Sequence, residues 1–197
     1  MAIPTSQTEP LQLLADARAV LDEGLEDALS LLQADRGNVQ IVDPVNGCLR
    51  IAAQAGFSSE FLEYFAIVKD DGSACGRAAQ QLAQTVIADV NTDPGFAPHR
   101  EIAAASGFRA VHSTPLVDLG GHLVGVLSTH YPLPYRPPDR DLGLMRRFGE
   151  LIGQAIEASL EADGQPAFLR LGELIEHGPS SRASRPMATS APVRART

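Results

Sequence analysis

Apolar residues near the N-terminus recur at intervals of three and four, which is the spacing of one face of an α-helix. Thr8 is a candidate N-cap, and Pro10 suits the first turn because its backbone nitrogen needs no intrahelical partner there. The pattern therefore predicts a helix that begins near Thr8, ends at the segment 35–37 and carries Gly24 as a weak point. Its apolar stripe consists of Leu14, Ala17, Leu21, Leu25, Ala28 and Leu32.

Two β-hairpins are predicted where apolar and polar residues alternate on both sides of a glycine-containing turn. The segments "NVQIVDP" and "CLRIAAQAG" flank Asn46-Gly47, which is a strong short-range turn signal. The segments "AVHSTPLV" and "HLVGVLSTHY" flank Gly120-Gly121, and "TVIADV" predicts one further strand between the two hairpins.

The second hairpin also predicts a register. If Gly120-Gly121 is a two-residue turn, His112 faces Thr129 and Val111 faces His130. Side chains alternate between the two faces of a sheet, so the two histidines lie on opposite faces. In this register they cannot share a metal ion, and each is interpreted as a hydrogen-bonded imidazole in or beside the core.

Shorter helical patterns separate the strands, and a long one follows them. A short helix is predicted over Ser59–Ile67, a second begins with Ser73 as its N-cap, and a third is closed by Gly107. The last long helix contains Gly149 and Gly153, four residues apart, which let another backbone approach closely. Its apolar face consists of Met145, Phe148, Ile152 and Ile156.

This order of elements predicts an α+β domain, an antiparallel sheet with helices packed on it. Neither face of the second hairpin is strongly polar, so helices are expected on both faces of the sheet. The domain is placed at residues 1–162 with its core at about 13–162, and a short helix is possible within 163–177. Residues 178–197 contain three prolines, four serines and four arginines, and are predicted to be a disordered basic tail.

The distribution of charge limits the partners that the protein can have. The net charge is −8, and the 177 residues before the tail carry 12 basic against 24 acidic side chains. An acidic domain argues against nucleic-acid binding, which requires a basic face. The sequence contains no run of 18 apolar residues, so no membrane span is predicted. The first residues lack the features of a secretory signal. Two cysteines make no disulfide framework, so a cytoplasmic location is expected.

Cys75, in the segment "GSACGRAA", is the strongest candidate for reactive chemistry because it lies at a predicted helix start. Unpaired N–H groups and the helix dipole favour a thiolate at that position. A cysteine protease is disfavoured, because the first histidine is His99 and the last is His177, and neither spacing suits a known protease order. Cysteine is also among the most buried residue types, and the small neighbours of Cys75 indicate close packing, which is the preferred interpretation.

Other common catalytic and metal-binding patterns are absent from the sequence. There is no H-x-x-x-H, C-x-x-C or H-E-x-x-H spacing, and no glycine-rich loop of the phosphate-binding kind. Neither a catalytic residue nor a metal ligand is therefore assigned.

The segments taken together resemble the second half of a GAF domain, and in particular those of bacterial two-component sensor proteins. The pattern comprises a Gly-x-x-Cys-Gly helix start, a Val-x-Asp-Val strand, an Asp-Pro-x-Phe loop, and two strands containing Ser-x-Pro-Leu and Gly-x-Leu-Ser-Thr-His. The match covers roughly residues 13–162. The residues that carry it are Gly72, Cys75, Gly76, Val86, Ala88, Asp89, Val90, Asp93, Pro94, Phe96, Ser113, Pro115, Leu116, Gly125, Leu127, Ser128, Thr129 and His130.

The resemblance implies a GAF-like, PAS-related antiparallel sheet of about six strands, with a small-molecule pocket on one face and terminal helices on the other. The Cys-His pair that attaches the chromophore in bilin-binding relatives is missing, since Cys48 precedes Leu49 and Cys75 precedes Gly76. No particular cofactor is implied. The expected ligand-binding residues are Phe65, Ser73, Cys75, Phe96, His112, Thr114 and Thr129.

The leading hypothesis is a non-enzymatic cytoplasmic sensory module that binds an unknown small molecule and signals through its terminal helices. Those helices are expected to form a parallel homodimer or to dock onto a sensor histidine kinase. One alternative is a thiol-dependent free methionine sulfoxide reductase, which needs an attacking and a resolving thiol. The other is a ligand-free interaction scaffold whose pocket is filled by Phe57, Phe61, Phe65 and Phe96.

Overall fold

The computed structural model of the protein describes residues 8–69, 71–161, 167–176 and 178–182. Within these ranges the helices are α1 (Thr8–Leu32), α2 (Ser59–Tyr64), α3 (Ala74–Gln81), α4 (Arg100–Ala105), α5 (Asp139–Leu160) and α6 (Ala167–Glu176). The strands are β1 (Arg36–Val42), β2 (Leu49–Ala55), β3 (Thr85–Ile87), β4 (Ala110–Val117), β5 (Leu123–Tyr131) and β6 (Ser180–Arg182). No helix in these ranges has the combined length and apolarity that a membrane crossing requires.

The strands form one sheet in the order β3-β4-β5-β1-β2-β6. The strands β1 to β5 pair antiparallel, so the antiparallel sheet has five strands where about six were expected. The additional strand β6 has three residues and runs parallel to β2, with Ser180 facing Ala53. Parallel pairing needs a long crossover connection, and here the chain returns to the β2 edge only after α6.

The segment at β6 was expected to belong to a disordered tail, and that expectation is wrong for Ser180–Arg182. Backbone pairing with β2 and a hydrogen bond from Ser180 Oγ to the carboxylate of Asp22 hold this segment. Such contacts leave no apolar pattern in the sequence, which explains why composition alone pointed to disorder. Residues 183–197 of the predicted tail lie outside the described residues.

The helices α1, α5 and α6 cover one face of the sheet. The helix α1 continues through Gly24 without a break. This glycine makes room for α5, since a Cβ there would lie 2.7 Å from Ile152 Cδ1. The predicted stripe of α1 is buried from Ala17 onwards, and Leu14 packs at its margin. The core on this face includes Leu21, Leu25, Val39, Ile41, Leu127, Met145, Ile152, Ile156, Leu171 and Leu174.

Two glycines of α5 seat that helix directly on β4. A Cβ on Gly153 would lie 2.2 Å from the carbonyl oxygen of Val117, and one on Gly149 would lie 2.6 Å from that of Pro115. The close backbone approach predicted from these glycines is therefore made to the protein's own sheet and not to another molecule. Ile152, on the same helix, is likewise buried within the domain at 5 % exposure.

The opposite face of the sheet is covered by α2, α3, α4 and the loops between them. Ser73 caps α3 as predicted, because its Oγ accepts a hydrogen bond from the backbone N–H of Gly76. The core on this face is rich in aromatic side chains. Its members include Ile51, Phe61, Phe65, Cys75, Ile87, Phe96, Ile102, Phe108, Val111 and Val126.

The predicted register of the second hairpin is confirmed over most of its length. His112 faces Thr129 and Val111 faces His130, so the two histidines lie on opposite faces of the sheet. Near the turn the register shifts by one residue: Val117 pairs with Leu123, whereas a two-residue turn would pair it with Val124. The connection is accordingly longer than two residues and is closed by a hydrogen bond from Asp118 N to His122 O.

Candidate ligand-binding site

A small cavity lies between the sheet and the helices α2 and α3. Strands β1, β4 and β5 form its floor, while α2, the start of α3 and the loop before α4 form its roof. Its volume is about 20 Å³, which is room for one water molecule. The lining residues are Asn38, Gln40, Phe61, Phe65, Ser73, Ala74, Cys75, Phe96, Phe108, Val111, Ser128 and His130.

Four of the seven residues expected from the sequence lie at this cavity. Phe65 belongs to the roof beside α2, Ser73 and Cys75 lie at the start of α3, and Phe96 comes from the loop before α4. The helix start that drew attention to Cys75 is therefore part of the cavity wall.

The other three expected residues, His112, Thr114 and Thr129, lie on the opposite face of the sheet. The alternation along β4 and β5 requires this, because Val111, Ser128 and His130 point into the cavity. Thr114 packs against Gly149 of α5, since a Cβ added to Gly149 would lie 2.8 Å from Thr114 Cγ2. This side of the sheet therefore faces α5. The assignment of these three residues to the pocket is corrected accordingly.

A buried polar cluster forms where His112 and Thr114 meet the start of α5. Gln84 Nε2 donates hydrogen bonds to Thr114 Oγ1 at 3.2 Å and to the carbonyl oxygen of Leu142 at 2.9 Å. Burial lowers the pKa of His112 to about 4, so its imidazole is neutral at pH 7. This cluster ties β4 to the first turns of α5.

Sequence reasoning missed most of the polar floor, namely Asn38, Gln40, Ser128 and His130. Asn38 and Gln40 alternate with apolar residues in β1, a pattern also typical of a strand with one solvent-exposed face. Only the packing of α2 and α3, far away in the chain, over this face shows that it is covered. The signal available in the sequence was a pair of amides two residues apart in a predicted strand.

Several polar atoms at the cavity have no hydrogen-bond partner within the described part of the chain. They are both side-chain heteroatoms of Gln40, Oδ1 of Asn38 and Nδ1 of His130. The three side chains are at most 4 % exposed. Leaving one such atom unpaired costs about 1–3 kcal/mol, so folding without an occupant is costly at this site. The arrangement is that of a site which offers donors and acceptors to a polar occupant.

His130 is surrounded by rings and by one distant charge. Burial, together with the positive charge of Arg36, lowers the pKa of His130 to about 3, so the imidazole is neutral at pH 7. A neutral imidazole has one donor and one acceptor nitrogen. Its ring lies edge-on to Phe57 and Phe108, with centroid distances of 4.9 and 4.7 Å.

The two cysteines are in different places, and neither is in a disulfide. Cys75 Sγ lies 3.1 Å from Ser73 Oγ at the cavity. Cys48 follows the β1–β2 turn and is not among the cavity-lining residues, and burial raises the pKa of its thiol. Among the described residues, no group of three or more His, Cys, Asp and Glu side chains is arranged to hold a metal ion.

An ion pair fastens the roof of the cavity. Arg77 of α3 donates two hydrogen bonds to the carboxylate of Asp93, at 2.9 and 2.7 Å, and these bonds lower the pKa of Asp93. Arg100 also donates to the backbone carbonyl of Asp93 at 2.9 Å. Since Asp93 Oδ1 accepts from the N–H of Phe96, the start of α3 and the ring of Phe96 are held as one unit.

A larger groove of about 500 Å³ lies between α5, α6 and the β4–β5 turn. Its described lining residues contribute none of the buried polar atoms that lack a partner. Its rim carries the carboxylates of Asp118, Glu157 and Glu161, and Glu157 accepts a hydrogen bond from the N–H of Leu119. The small cavity is therefore the better candidate for a specific site.

Comparison with known proteins agrees with this architecture. A methyl sulfide methyltransferase-associated sensor of Methanosarcina acetivorans is 28 % identical over 96 residues, which is 49 % of this chain and 10 % of that protein. The chain thus spans about a tenth of the length of this curated relative.

Solved structures of low identity share the fold. One is a domain assigned to a two-component sensor histidine kinase protein of Sinorhizobium meliloti, with a TM-score of 0.56, 20 % identity, and coverage of 68 % of this chain and 86 % of that one. Another is the type II free methionine-R-sulfoxide reductase of Thermoplasma acidophilum, with a TM-score of 0.60, 13 % identity, and coverage of 72 % and 92 %.

The family model of the GAF domain matches residues 16–156, which include the whole of the small cavity. This match spans most of the chain and agrees with the five antiparallel strands and the helices on both faces. The protein belongs to the GAF domain family.

Proposed function

We propose that this protein is a non-enzymatic sensory module that binds a small molecule in the cavity beneath α3 and reports its presence through α5. The observation that carries the proposal is the set of unpartnered buried atoms on Asn38, Gln40 and His130. A site that served packing alone would carry apolar side chains at these positions, because buried polar atoms without partners are destabilising. The two cysteines outside any disulfide are in keeping with a cytoplasmic module.

The route from the cavity to α5 runs through the sheet. Val111 of β4 lines the cavity, and six residues further along the same strand Val117 touches Gly153 of α5. Gln84 links Thr114 to the carbonyl of Leu142 in the first turns of α5. A displacement of β4 by a ligand therefore moves the surface on which α5 rests.

The output of the module is proposed to be a homodimer through α5. Leu144 and Leu151 are exposed at 42 % and 63 %, and they lie seven residues apart with the half-buried Phe148 between them. This spacing is that of a coiled-coil seam. The apolar face predicted for this helix includes Ile152, which is buried inside the domain, so the interface is proposed for the stripe of Leu144, Phe148 and Leu151.

Sedimentation velocity of Leu151→Glu tests the dimer. The variant is expected to be a folded monomer at concentrations at which the parent protein is a dimer, because a charge on the seam must be desolvated. Val45→Glu is the control, since Val45 is 90 % exposed in the connection between β1 and β2, outside α5, and its replacement is expected to leave the dimer intact. A parent protein that sediments as a monomer at high micromolar concentration refutes the homodimer.

A reductase activity is the enzymatic alternative, favoured by the fold shared with the Thermoplasma acidophilum enzyme. Two thiols are needed, one to attack the sulfoxide and one to resolve the intermediate. Cys75 lies at the cavity, whereas Cys48 does not line it. Titration of free thiols before and after addition of free methionine sulfoxide is therefore expected to give the same count.

A scaffold without a ligand is the second alternative, and the small volume of the cavity favours it. The rings of Phe57 and Phe61 stack at 3.7 Å, and both lie edge-on to His130 of the floor. In a ligand-free scaffold, however, the buried amide of Gln40 has no hydrogen-bond partner, whereas in a binding site the ligand supplies one.

Native mass spectrometry, combined with a visible absorbance spectrum, tests the proposed function. Freshly purified protein is expected to carry a non-covalent small molecule that is lost on denaturation, and the spectrum separates coloured from colourless ligands. Gln40→Leu is expected to lose the molecule and stay folded, because the change removes unpaired buried atoms. Gln80→Leu, on the exposed side of α3, is the matched control. The bare mass of the chain in every sample, including samples incubated with a metabolite extract, favours the scaffold.

A further inference from the structure

We infer that the ligand of this cavity is an uncharged planar molecule with an amide-like edge, which takes the place of the Phe57 ring. The inference rests on the proposed function and adds the chemical class of the ligand and the side chain that it displaces.

The ligand is uncharged because the cavity offers no counter-charge. None of the described residues that line it carries a formal charge, since Asn38, Gln40, the serines and a neutral His130 supply its polar groups. Moving a carboxylate or phosphate out of water costs several kcal/mol per ion unless a partner compensates. The two cations beside the cavity already have partners, since Arg77 pairs with the carboxylate of Asp93 and Arg36, whose charge acts on His130, donates to the carbonyl oxygen of Ser106. The site therefore disfavours nucleotides and organic acids.

The edge is amide-like because Gln40 offers both halves of an amide pair. Its Nε2 is a donor and its Oε1 is an acceptor, side by side on one plane, and neither has a partner among the described residues. A carboxamide or lactam presents the complementary acceptor and donor at the same spacing. Oδ1 of Asn38, two residues along the same strand, can accept a further hydrogen bond.

The ligand is planar because the space above the floor is shaped by rings. Phe57 lies parallel to Phe61, with 3.7 Å between centroids and 7° between planes. Phe108 and His130 meet the same ring edge-on, at interplanar angles of 84° and 85°. A flat ligand stacked on Phe61 therefore keeps every favourable ring contact that Phe57 now makes.

Phe57 is the ring that must leave for such a ligand to enter. An apolar cavity of about 150 Å³ is the size that admits benzene, whereas the present volume is about 20 Å³. Phe61 is 1 % exposed within α2, but Phe57 is half-buried in the short connection after β2, beside Gly56 with a φ of 82°. A hydrogen bond from Phe57 N to Gln54 Oε1 holds its backbone, so we expect a rotation of the side chain to be the movement that opens the slot.

The test compares benzamide with benzoate, two molecules of the same shape that differ in charge. Benzamide at about ten times its dissociation constant is expected to raise the melting temperature by roughly 3–5 °C, and benzoate at the same concentration leaves it unchanged. Gln40→Leu is expected to abolish the benzamide shift, and Gln80→Leu keeps it. Phe57→Ala is expected to bind benzamide about tenfold more tightly in calorimetric titration, because no ring has to be displaced.

The outcomes separate this inference from the proposed function. A shift with benzoate and none with benzamide overturns the ligand class but leaves a small-molecule sensor. An equal shift with toluene that survives Gln40→Leu overturns the amide edge. No shift with any probe, while native mass spectrometry still shows a retained molecule, also overturns the class alone. No shift and no retained molecule overturn both the class and the proposed function.

Discussion

Replacement of Gly153 by alanine tests whether α5 rests on β4 as closely as the structure shows. The added Cβ would lie 2.2 Å from the oxygen, 2.5 Å from the nitrogen and 2.6 Å from the carbonyl carbon of Val117. All three are backbone atoms of a paired strand and cannot rotate away. The helix itself must therefore move outward by about 1 Å to restore van der Waals contact at about 3.5 Å.

The expected magnitude is the difference of two opposing terms. Alanine in a helix interior is more favourable than glycine by about 0.5–1 kcal/mol. Overpacking against an unyielding neighbour costs about 1–3 kcal/mol. Because three backbone atoms lie within 2.6 Å of the added Cβ, the upper part of that cost, about 2–3 kcal/mol, applies, and the net effect is a destabilisation of about 1–2.5 kcal/mol. Gly143→Ala is the matched control on the same helix, because nothing lies within 4 Å of its added Cβ, and it is expected to stabilise the protein by about 0.5–1 kcal/mol.

Urea unfolding followed by circular dichroism measures both variants. The two changes in the free energy of unfolding are expected to have opposite signs, with melting temperatures that differ by roughly 4–10 °C. If Gly153→Ala is as stable as Gly143→Ala, α5 does not rest on the backbone of β4. The route from the cavity to the helix would then rest on the hydrogen bonds of Gln84 alone.

Three further predictions concern the two buried histidines, the ion pair of the roof and Cys75. His112 and His130 have folded pKa values of about 4 and 3, below the unfolded value of 6.5, so the unfolded state binds more protons at low pH. The stability from this source is thus fully present above pH 6.5 and falls by roughly 1.4 kcal/mol per pH unit for each histidine, down to about pH 4 for His112 and about pH 3 for His130. A urea midpoint that stays constant between pH 6.5 and 4.5 contradicts this. Asp93→Asn is expected to destabilise the roof by about 1–2 kcal/mol and to speed amide exchange in α3 but not in α1; unchanged exchange in α3 refutes the fastening role. Cys75→Ser is expected to lose about 1 kcal/mol, and alkylation of Cys75 in the native protein is expected to be slow; rapid labelling at low pH reveals an exposed thiolate instead.

The sequence carried enough local information for the helices, the hairpins and the register of β4 with β5. That register placed His112 and His130 on opposite faces, and it was correct. Which face holds the cavity depends on where α3 and α5 dock, and no local pattern encodes this. The expected pocket residue His112 therefore lies beneath α5, while His130 lines the cavity.

Non-local pairing hid the rest of the site. Asn38 and Gln40 have the alternation of a half-exposed strand, and only β5 on one side and β2 on the other make β1 central. The strand β6 is held by backbone pairing and has almost no apolar signal. The glycines of α5 were recognised as points of close approach, but glycine spacing says nothing about which backbone approaches.

Hydrogen–deuterium exchange of the protein, with and without saturating benzamide, tests most directly whether the cavity communicates with α5. We expect slower exchange in α3 at residues 74–81 together with a changed rate in α5 at residues 139–160, and no change in α4. Protection of α3 with α5 unaltered would contradict the sensory role, and unaltered exchange in both helices would contradict the binding of benzamide in the cavity.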